Sequence, residues 1–144
     1  MTTWFNDSKL TMRSTDVKLA EGVIDMKDYR LGVMETKFAG LIWDNAPIPS
    51  GELVKLCAKE LDWKKSTTYT MLRRLCDRGI FQNADGVVSA LLAQQDFRAL
   101  QSEQFINETF AGSLPQFLAT FATRTNFTES EIEALQKIIN QHKE

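Results

Sequence analysis

The sequence contains 144 residues with a formal net charge of −2, 43% hydrophobic residues and 25% charged residues. These values are typical of a soluble globular chain that holds one domain or a small domain with an oligomerisation module. No run of about 18 or more apolar residues occurs, so no membrane span is predicted. The first residues also lack the pattern of a signal peptide, and we therefore expect a cytoplasmic protein. The two cysteines, Cys57 and Cys76, are too few and too far apart for a metal motif or a disulfide framework, and no cofactor is predicted.

Charge is distributed unevenly along the chain. Residues 29–79 carry nine Lys and Arg against six Asp and Glu, whereas residues 94–144 carry four against seven. This separation indicates that residues 29–79 contact the phosphates of a nucleic acid and that residues 94–144 do not. Residues 1–28 show no sustained period and are interpreted as an N-terminal extension, with a short strand predicted around Gly22 to Met26.

The first helix is predicted over residues 33–44. Its apolar residues recur at helical spacing; they are Met34, Phe38, Leu41 and Ile42. The prolines in residues 46–49 end this helix, because proline restricts the residue before it.

Two further helices follow the prolines. Ser50 stands where an N-cap is expected, and an apolar stripe continues to about Leu61. After a short break the third helix covers residues 66–78 and ends at Gly79, a residue typical of the position after a helix. Two helices joined by a tight turn are typical of a helix-turn-helix.

A β-hairpin is predicted directly after the third helix. Two apolar runs, residues 80–82 and 87–92, flank an Asp85-Gly86 turn. A hairpin in this place is what a winged helix has. We therefore predict a mainly α fold with a small β-hairpin, in which residues 29–93 form a winged helix-turn-helix domain.

Residues 94–144 are predicted to be helical. The last helix begins with a capping box at Thr128 and Glu131, and six of the nine phenylalanines lie beyond residue 93. A segment this small does not bury so many aromatic side chains alone. Either it packs back on the first domain or it pairs with a second chain, and we favour a homodimer. The predicted dimerisation residues are Phe105, Ile106, Phe110, Leu114, Phe117, Leu118, Phe121, Ile132, Leu135 and Ile139.

The third helix carries polar and basic residues away from its apolar stripe. Hydroxyl groups and cations at a helix N-terminus suit a phosphate backbone, and outward side chains reach base edges in the major groove. Taken alone, these cations favour a solvated face over a binding site, but the helix-turn-helix and the hairpin favour DNA binding. The candidate DNA-binding residues are Lys64, Lys65, Ser66, Thr67, Tyr69, Thr70, Arg73 and Arg74.

Several segments, taken in order, resemble one known family. They are the first helix with Trp43, the run from Trp63 to Leu75, the tail segment from Phe105 to Leu114, and the closing helix after Thr128. Together they resemble the penicillinase-repressor family of winged-helix transcriptional repressors (the BlaI, MecI and CopY type), over about residues 31–144.

The resemblance implies a homodimeric repressor whose third helix docks in the major groove of a palindromic operator. It implies DNA contacts from Ser66, Thr67, Thr70 and Arg74. It also implies a regulatory protease or sensor partner, with cleavage at the matching bond, Gln104-Phe105.

The sequence differs from members of the family in four respects. Tyr69 stands where relatives usually carry Lys or Arg, and the hairpin contains no Lys or Arg, whereas relatives have a basic wing. The C-terminal Cys-x-Cys pair of copper-responsive relatives is missing, so no metal is predicted. Residues 1–28 are additional to the family pattern.

Two other classes of function compete with a DNA-binding repressor. A winged-helix protein-interaction module with weak or no DNA binding is favoured by the acidic balance and the uncharged hairpin. An enzyme is not predicted, because acid-base and nucleophilic chemistry need a positioned base and the single histidine is His142, close to the C-terminus.

Overall fold

The computed structural model describes residues 28–143. The strand predicted around Gly22 to Met26 lies outside these residues. The chain divides after Phe97 into two compact units, and each is described by itself below.

The first unit contains three helices, which confirms the three predicted from helical spacing. They are α1 (Val33–Asn45), α2 (Ser50–Leu61) and α3 (Lys65–Asp77). Three residues separate α2 from α3, and the first, Asp62, has a left-handed conformation with φ of 57°. Trp63 in this turn packs against Phe38 of α1, with 5.1 Å between the ring centroids. The turn is therefore fixed by its backbone conformation and by an aromatic contact, as a helix-turn-helix requires.

The end of α3 follows from Gly79, which has a φ of 80°. The Gly79 N–H donates to the carbonyl of Cys76 (2.9 Å), and the Ile80 N–H donates to that of Leu75 (3.1 Å). This pair of bonds is the Schellman motif, in which a left-handed residue lets the chain turn back on the last helical carbonyls. The predicted helix stop at Gly79 is confirmed.

A small antiparallel sheet completes the winged helix. Its strands are β1 (Ile48–Pro49), β2 (Phe81–Ala84) and β3 (Val87–Ala90), in the order β1-β3-β2. Asp85 and Gly86 form the two-residue turn between β2 and β3, both with positive φ, which is the type I′ geometry that Asp-Gly favours. The hairpin is confirmed, whereas β1 was not predicted because two residues show no alternation.

One prediction about α2 is wrong. Ser50 does not cap this helix: it is the first helical residue, it follows Pro49, and no side chain accepts a hydrogen bond from the first turn. Its hydroxyl is used elsewhere, as described below.

The core of the first unit joins α1, the other two helices and the sheet. Trp43 packs against Phe81 and Phe97 at ring-centroid distances of 5.1 and 5.4 Å, and its indole N–H donates to the carbonyl of Leu92 (2.9 Å). The buried apolar residues are Phe38, Ala39, Ile42, Ile48, Leu53, Cys57, Leu72, Leu75, Ile80, Phe81, Val88 and Phe97. This core holds α3 by its apolar side and leaves its other side free.

The remaining helices are α4 (Gln94–Phe110), α5 (Leu114–Ala122) and α6 (Glu129–His142). The Ser113 hydroxyl accepts from the Gln116 N–H at the start of α5 (3.1 Å). At α6 the predicted capping box is confirmed: Thr128 Oγ1 accepts from the Glu131 N–H, and the Glu131 carboxylate accepts from the Thr128 N–H. The fold is mainly helical, a winged helix followed by C-terminal helices.

Candidate nucleic-acid interface

Helix α3 has one buried side and one exposed side. Thr68, Leu72 and Leu75 are buried on the first. The polar and basic residues predicted to bind DNA, apart from Tyr69, are all exposed; they are Lys64, Lys65, Ser66, Thr67, Thr70, Arg73 and Arg74. The fold therefore brings these seven residues together along one helix.

The N-terminus of α3 is electropositive. Lys64 is its N-cap residue and Lys65 its first residue, with no side-chain cap and no acidic residue in the first turn. Cations beside the positive end of a helix dipole oppose helix formation by about 0.3–1 kcal/mol each. The arrangement weakens the helix start and favours an anion there, since uncapped N–H groups and two ammonium groups meet at one place.

Tyr69 differs from its neighbours on α3. Its ring is half-buried against the core, and its hydroxyl donates to Ser50 Oγ at the start of α2, at 3.0 Å. This contact could not be predicted from the sequence, because spacing rules do not connect side chains 19 residues apart.

Arg78, at the end of α3, is turned towards the protein. Its guanidinium donates to the carbonyl of Arg30 (2.7 Å) and lies 3.8 and 3.9 Å from the carboxylates of Asp28 and Glu35. Arg30 donates in turn to Asp28 through its backbone N–H and its side chain. These hydrogen bonds and the neighbouring cations lower the pKa of Asp28 to about 2. The guanidinium of Arg78 therefore holds the segment before α1 against the end of α3.

The hairpin presents polar but uncharged side chains. Gln82 and Asn83 are exposed on β2, and the Gln82 amide donates to Ser89 Oγ across the strand pair (3.1 Å). Asp85 in the turn is the single charged residue between Ile80 and Leu92. The hairpin thus has amide donors and acceptors in place of cations.

Two further titratable groups of the first unit are the thiols of Cys57 and Cys76. Burial raises the pKa of the Cys57 thiol, and burial together with the neighbouring Asp77 carboxylate raises that of Cys76. Both thiols are therefore held in the unreactive form. Within residues 28–143 no cluster of three or more metal-ligating side chains occurs. No helix of this part is long and apolar enough to cross a membrane.

The predicted dimerisation residues lie on α4, α5 and α6, and none of them is buried in the single chain. Phe105, Phe110 and Phe117 contact one another with ring centroids 5.5–5.9 Å apart. Phe121 extends this aromatic row from Phe117.

Gln104 and Phe105, the residues of the predicted cleavage bond, lie inside α4. The Gln104 amide donates to Glu108 one turn later (3.0 Å). A protease that cuts an extended substrate would first have to unwind this part of the helix.

Comparison with known proteins places these features in a family. The family described as penicillinase repressor matches residues 31–141, which run from before α1 to all but the last residue of α6. The chain belongs to this family. The predicted resemblance is confirmed, and with it the prediction of a transcriptional repressor and not an enzyme.

Relatives in this family align over most of their length. The methicillin resistance regulatory protein MecI of Staphylococcus aureus (strain Mu50 / ATCC 700699) is 25% identical over 122 residues, which are 82% of this chain and 99% of that protein. The penicillinase repressor of Bacillus licheniformis is 27% identical over 122 residues, 82% of this chain and 91% of that protein. The chain is thus similar to complete repressors.

Proposed function

We propose that the protein represses transcription as a homodimer that binds a palindromic DNA operator through α3. The observation that carries the proposal is the exposed row of hydroxyl and basic side chains on α3, opposite its buried stripe. The hydroxyl groups of Ser66, Thr67 and Thr70 donate to phosphate or base oxygens, and Arg73 and Arg74 reach the major-groove edges of bases.

The electropositive start of α3 supports a phosphate contact. Lys64 and Lys65 oppose the helix dipole, so they gain nothing for helix stability. A phosphate at this end would pair with both ammonium groups and with uncapped backbone N–H groups.

The uncharged hairpin limits the number of phosphate contacts. Because each neutralised phosphate steepens the salt dependence of binding, a wing without cations adds little to it. The proposed binding therefore depends mainly on α3, and its salt dependence is set by the cations of that helix.

The C-terminal helices support the homodimer. None of residues 98–143 is buried, although many of them are large and apolar. Leu114, Phe121 and Ile139, for example, are each about half-exposed. Apolar patches of this kind mark association sites, and each large side chain fully buried by a partner contributes about 1.5–3 kcal/mol. A second copy places two α3 helices in successive major grooves, which matches a palindromic operator. Cleavage at Gln104-Phe105 stays a prediction.

Electrophoretic mobility shift with DNA from upstream of the protein's own gene tests the proposal. We expect a discrete complex that survives competitor DNA and weakens as salt rises. Arg73→Ala should raise the dissociation constant about tenfold, since one good base contact contributes about 1–3 kcal/mol. Arg124→Ala is the matched control, because it removes the same charge from the exposed segment between α5 and α6.

Two other results of this experiment would contradict the proposal. Equal loss of binding in both variants would indicate attraction by net charge alone. No complex at low salt would leave the winged helix as a protein-interaction module, the alternative that the uncharged hairpin favours.

A further inference from the structure

Ser50 lies where three parts of the winged helix meet. It begins α2, its backbone N–H donates to the carbonyl of Gly86 in the hairpin turn (2.8 Å), and its hydroxyl accepts from Tyr69 of α3 (3.0 Å). Pro49, the preceding residue, pairs with Val87 at the start of β3. One residue therefore connects the hairpin turn, α2 and α3.

Tyr69 is placed differently from the exposed residues of α3. Its ring is half-buried and packs against the core, whereas the adjacent Thr70 is exposed. A phenol has one O–H donor, and that of Tyr69 is engaged by Ser50. To donate to a base, the side chain would have to give up this bond and leave its packing site.

We propose that Ser50 and Tyr69 are positioning residues that fix α3 relative to α2 and the hairpin turn, and that Tyr69 reads no base. The proposal rests on the proposed DNA binding and replaces the expectation that Tyr69 contacts DNA. Because the Ser50 backbone also holds Gly86, the pair sets the distance between the two parts of the domain that face DNA.

The size of the effect is bounded by one hydrogen bond. A neutral bond of this kind stabilises one arrangement over others by a factor of roughly two to ten. A loss of that bond shifts the population of the binding-competent arrangement by no more than this factor. We therefore expect the dissociation constant for DNA to rise roughly two- to tenfold, without a change in which bases are preferred.

The experiment measures DNA affinity for the full chain and four variants, with the upstream DNA used above. Tyr69→Phe removes only the donor, and Ser50→Ala removes only the acceptor. Both should weaken binding by the same factor, and the double variant should be no weaker than either one. Ser50→Thr keeps a hydroxyl and should restore binding. The slope of affinity against salt should stay unchanged throughout, because no phosphate contact is lost.

Thr70→Val is the matched control, since it removes an exposed hydroxyl from the next residue of α3. Its effect should add to that of Ser50→Ala and should depend on the base sequence of the operator. Thermal unfolding of each variant shows that it is folded at the temperature of the measurement.

Several outcomes would overturn the proposal. Additive losses in the double variant, or a loss with Tyr69→Phe but none with Ser50→Ala, would show that Tyr69 contacts DNA. Unchanged affinity in every variant would show that the pair positions nothing. If the wild-type chain forms no complex, the proposed DNA binding fails and this inference fails with it. If the wild-type chain does form a complex, the DNA binding stands, and the variants then test this inference alone.

Discussion

Cations on α3 have two kinds of surroundings. Arg73 and Arg74 are exposed, whereas Arg78 is three-quarters covered and contacts Asp28, Glu35 and the carbonyl of Arg30. A count of basic residues treats the three alike, but a desolvated and paired guanidinium is not available to phosphate. The density of positive charge that the helix offers to DNA is therefore lower than its sequence suggests.

The carboxylate of Asp28 should titrate at an unusually low pH. Hydrogen bonds from Arg30, and the charges of Arg30 and Arg78, lower its pKa from 3.8 to about 2. Since the pKa is lower in the folded protein, the interaction stabilises the fold at pH above about 4, and this contribution is lost as the pH falls towards about 2. A carboxyl-carbon NMR titration should report a pKa near 2 for Asp28.

Removal of the largest cause should reduce this shift. In Arg30→Ala the pKa of Asp28 should move part of the way back to 3.8, because the backbone N–H of residue 30 and the charge of Arg78 remain, whereas Arg124→Ala, in the other unit, should leave it near 2. A titration that gives the ordinary value in the unaltered protein would contradict the Arg30-Asp28 contact.

Among the connecting elements, the hairpin turn depends on the left-handed conformation of Gly86 and not on crowding around it. Gly86 has a φ of +77°, and an added Cβ there meets no heavy atom within 4 Å. Gly40, inside α1, also has no heavy atom within 4 Å of an added Cβ, but its backbone is helical. Because an added Cβ is crowded at neither position, a difference between the two substitutions reports the cost of the left-handed conformation at Gly86.

Alanine substitutions at these glycines should have opposite signs. Gly86→Ala should lower the free energy of unfolding by about 1–2 kcal/mol, because a Cβ disfavours the left-handed region. Gly40→Ala should raise it by roughly 0.5–1 kcal/mol, because glycine costs more entropy in a helix. Chemical denaturation at one protein concentration measures both. Changes of the same sign would contradict the turn geometry.

Elements with a local signal were predictable, and those fixed by distant contacts were not. The helices could be predicted from the spacing of their apolar residues, with Gly79 marking the end of α3 and the Thr128-Glu131 capping box the start of α6. The hairpin could be predicted from the Asp85-Gly86 turn. The strand β1 is too short for any alternation, and its pairing with β3 depends on tertiary structure.

The candidate site shows the same division. Which side of α3 is exposed could be predicted from its apolar stripe, since a helix repeats every 3.6 residues. The use of Ser50 was misjudged because serine suits both an N-cap and a long-range hydrogen bond. The inward turn of Arg78 depends on a carbonyl 48 residues away, which no spacing rule reveals.

Within residues 28–143, apolar burial lies in the first unit. Every buried side chain of this part lies at or before Phe97, and α5 and α6 have none. Half-exposed residues on α6, such as Ile132 and Ile139, need a partner to be removed from water. The proposed homodimer supplies it.

A single charge in this surface should dissociate the proposed dimer. Ile139→Asp places a carboxylate in an apolar contact, where desolvation is costly, and sedimentation velocity should show the monomer at concentrations where the unaltered chain is a dimer. Ser130→Asp adds the same charge on the opposite side of α6, near the helix N-terminus where a carboxylate is favourable, and should leave the dimer intact. Monomers from both variants, or from neither, would contradict the assigned surface.

The lack of buried residues over positions 98–143 has a consequence for how a gene responds to this protein. If the C-terminal helices complete their packing only in the dimer, the amount of active repressor at low levels rises with the square of the monomer concentration. Dilution of the protein as a cell grows and divides then relieves repression more sharply than it would for a monomer. The proposed homodimer would thus make gene expression sensitive to the rate at which the repressor is replaced.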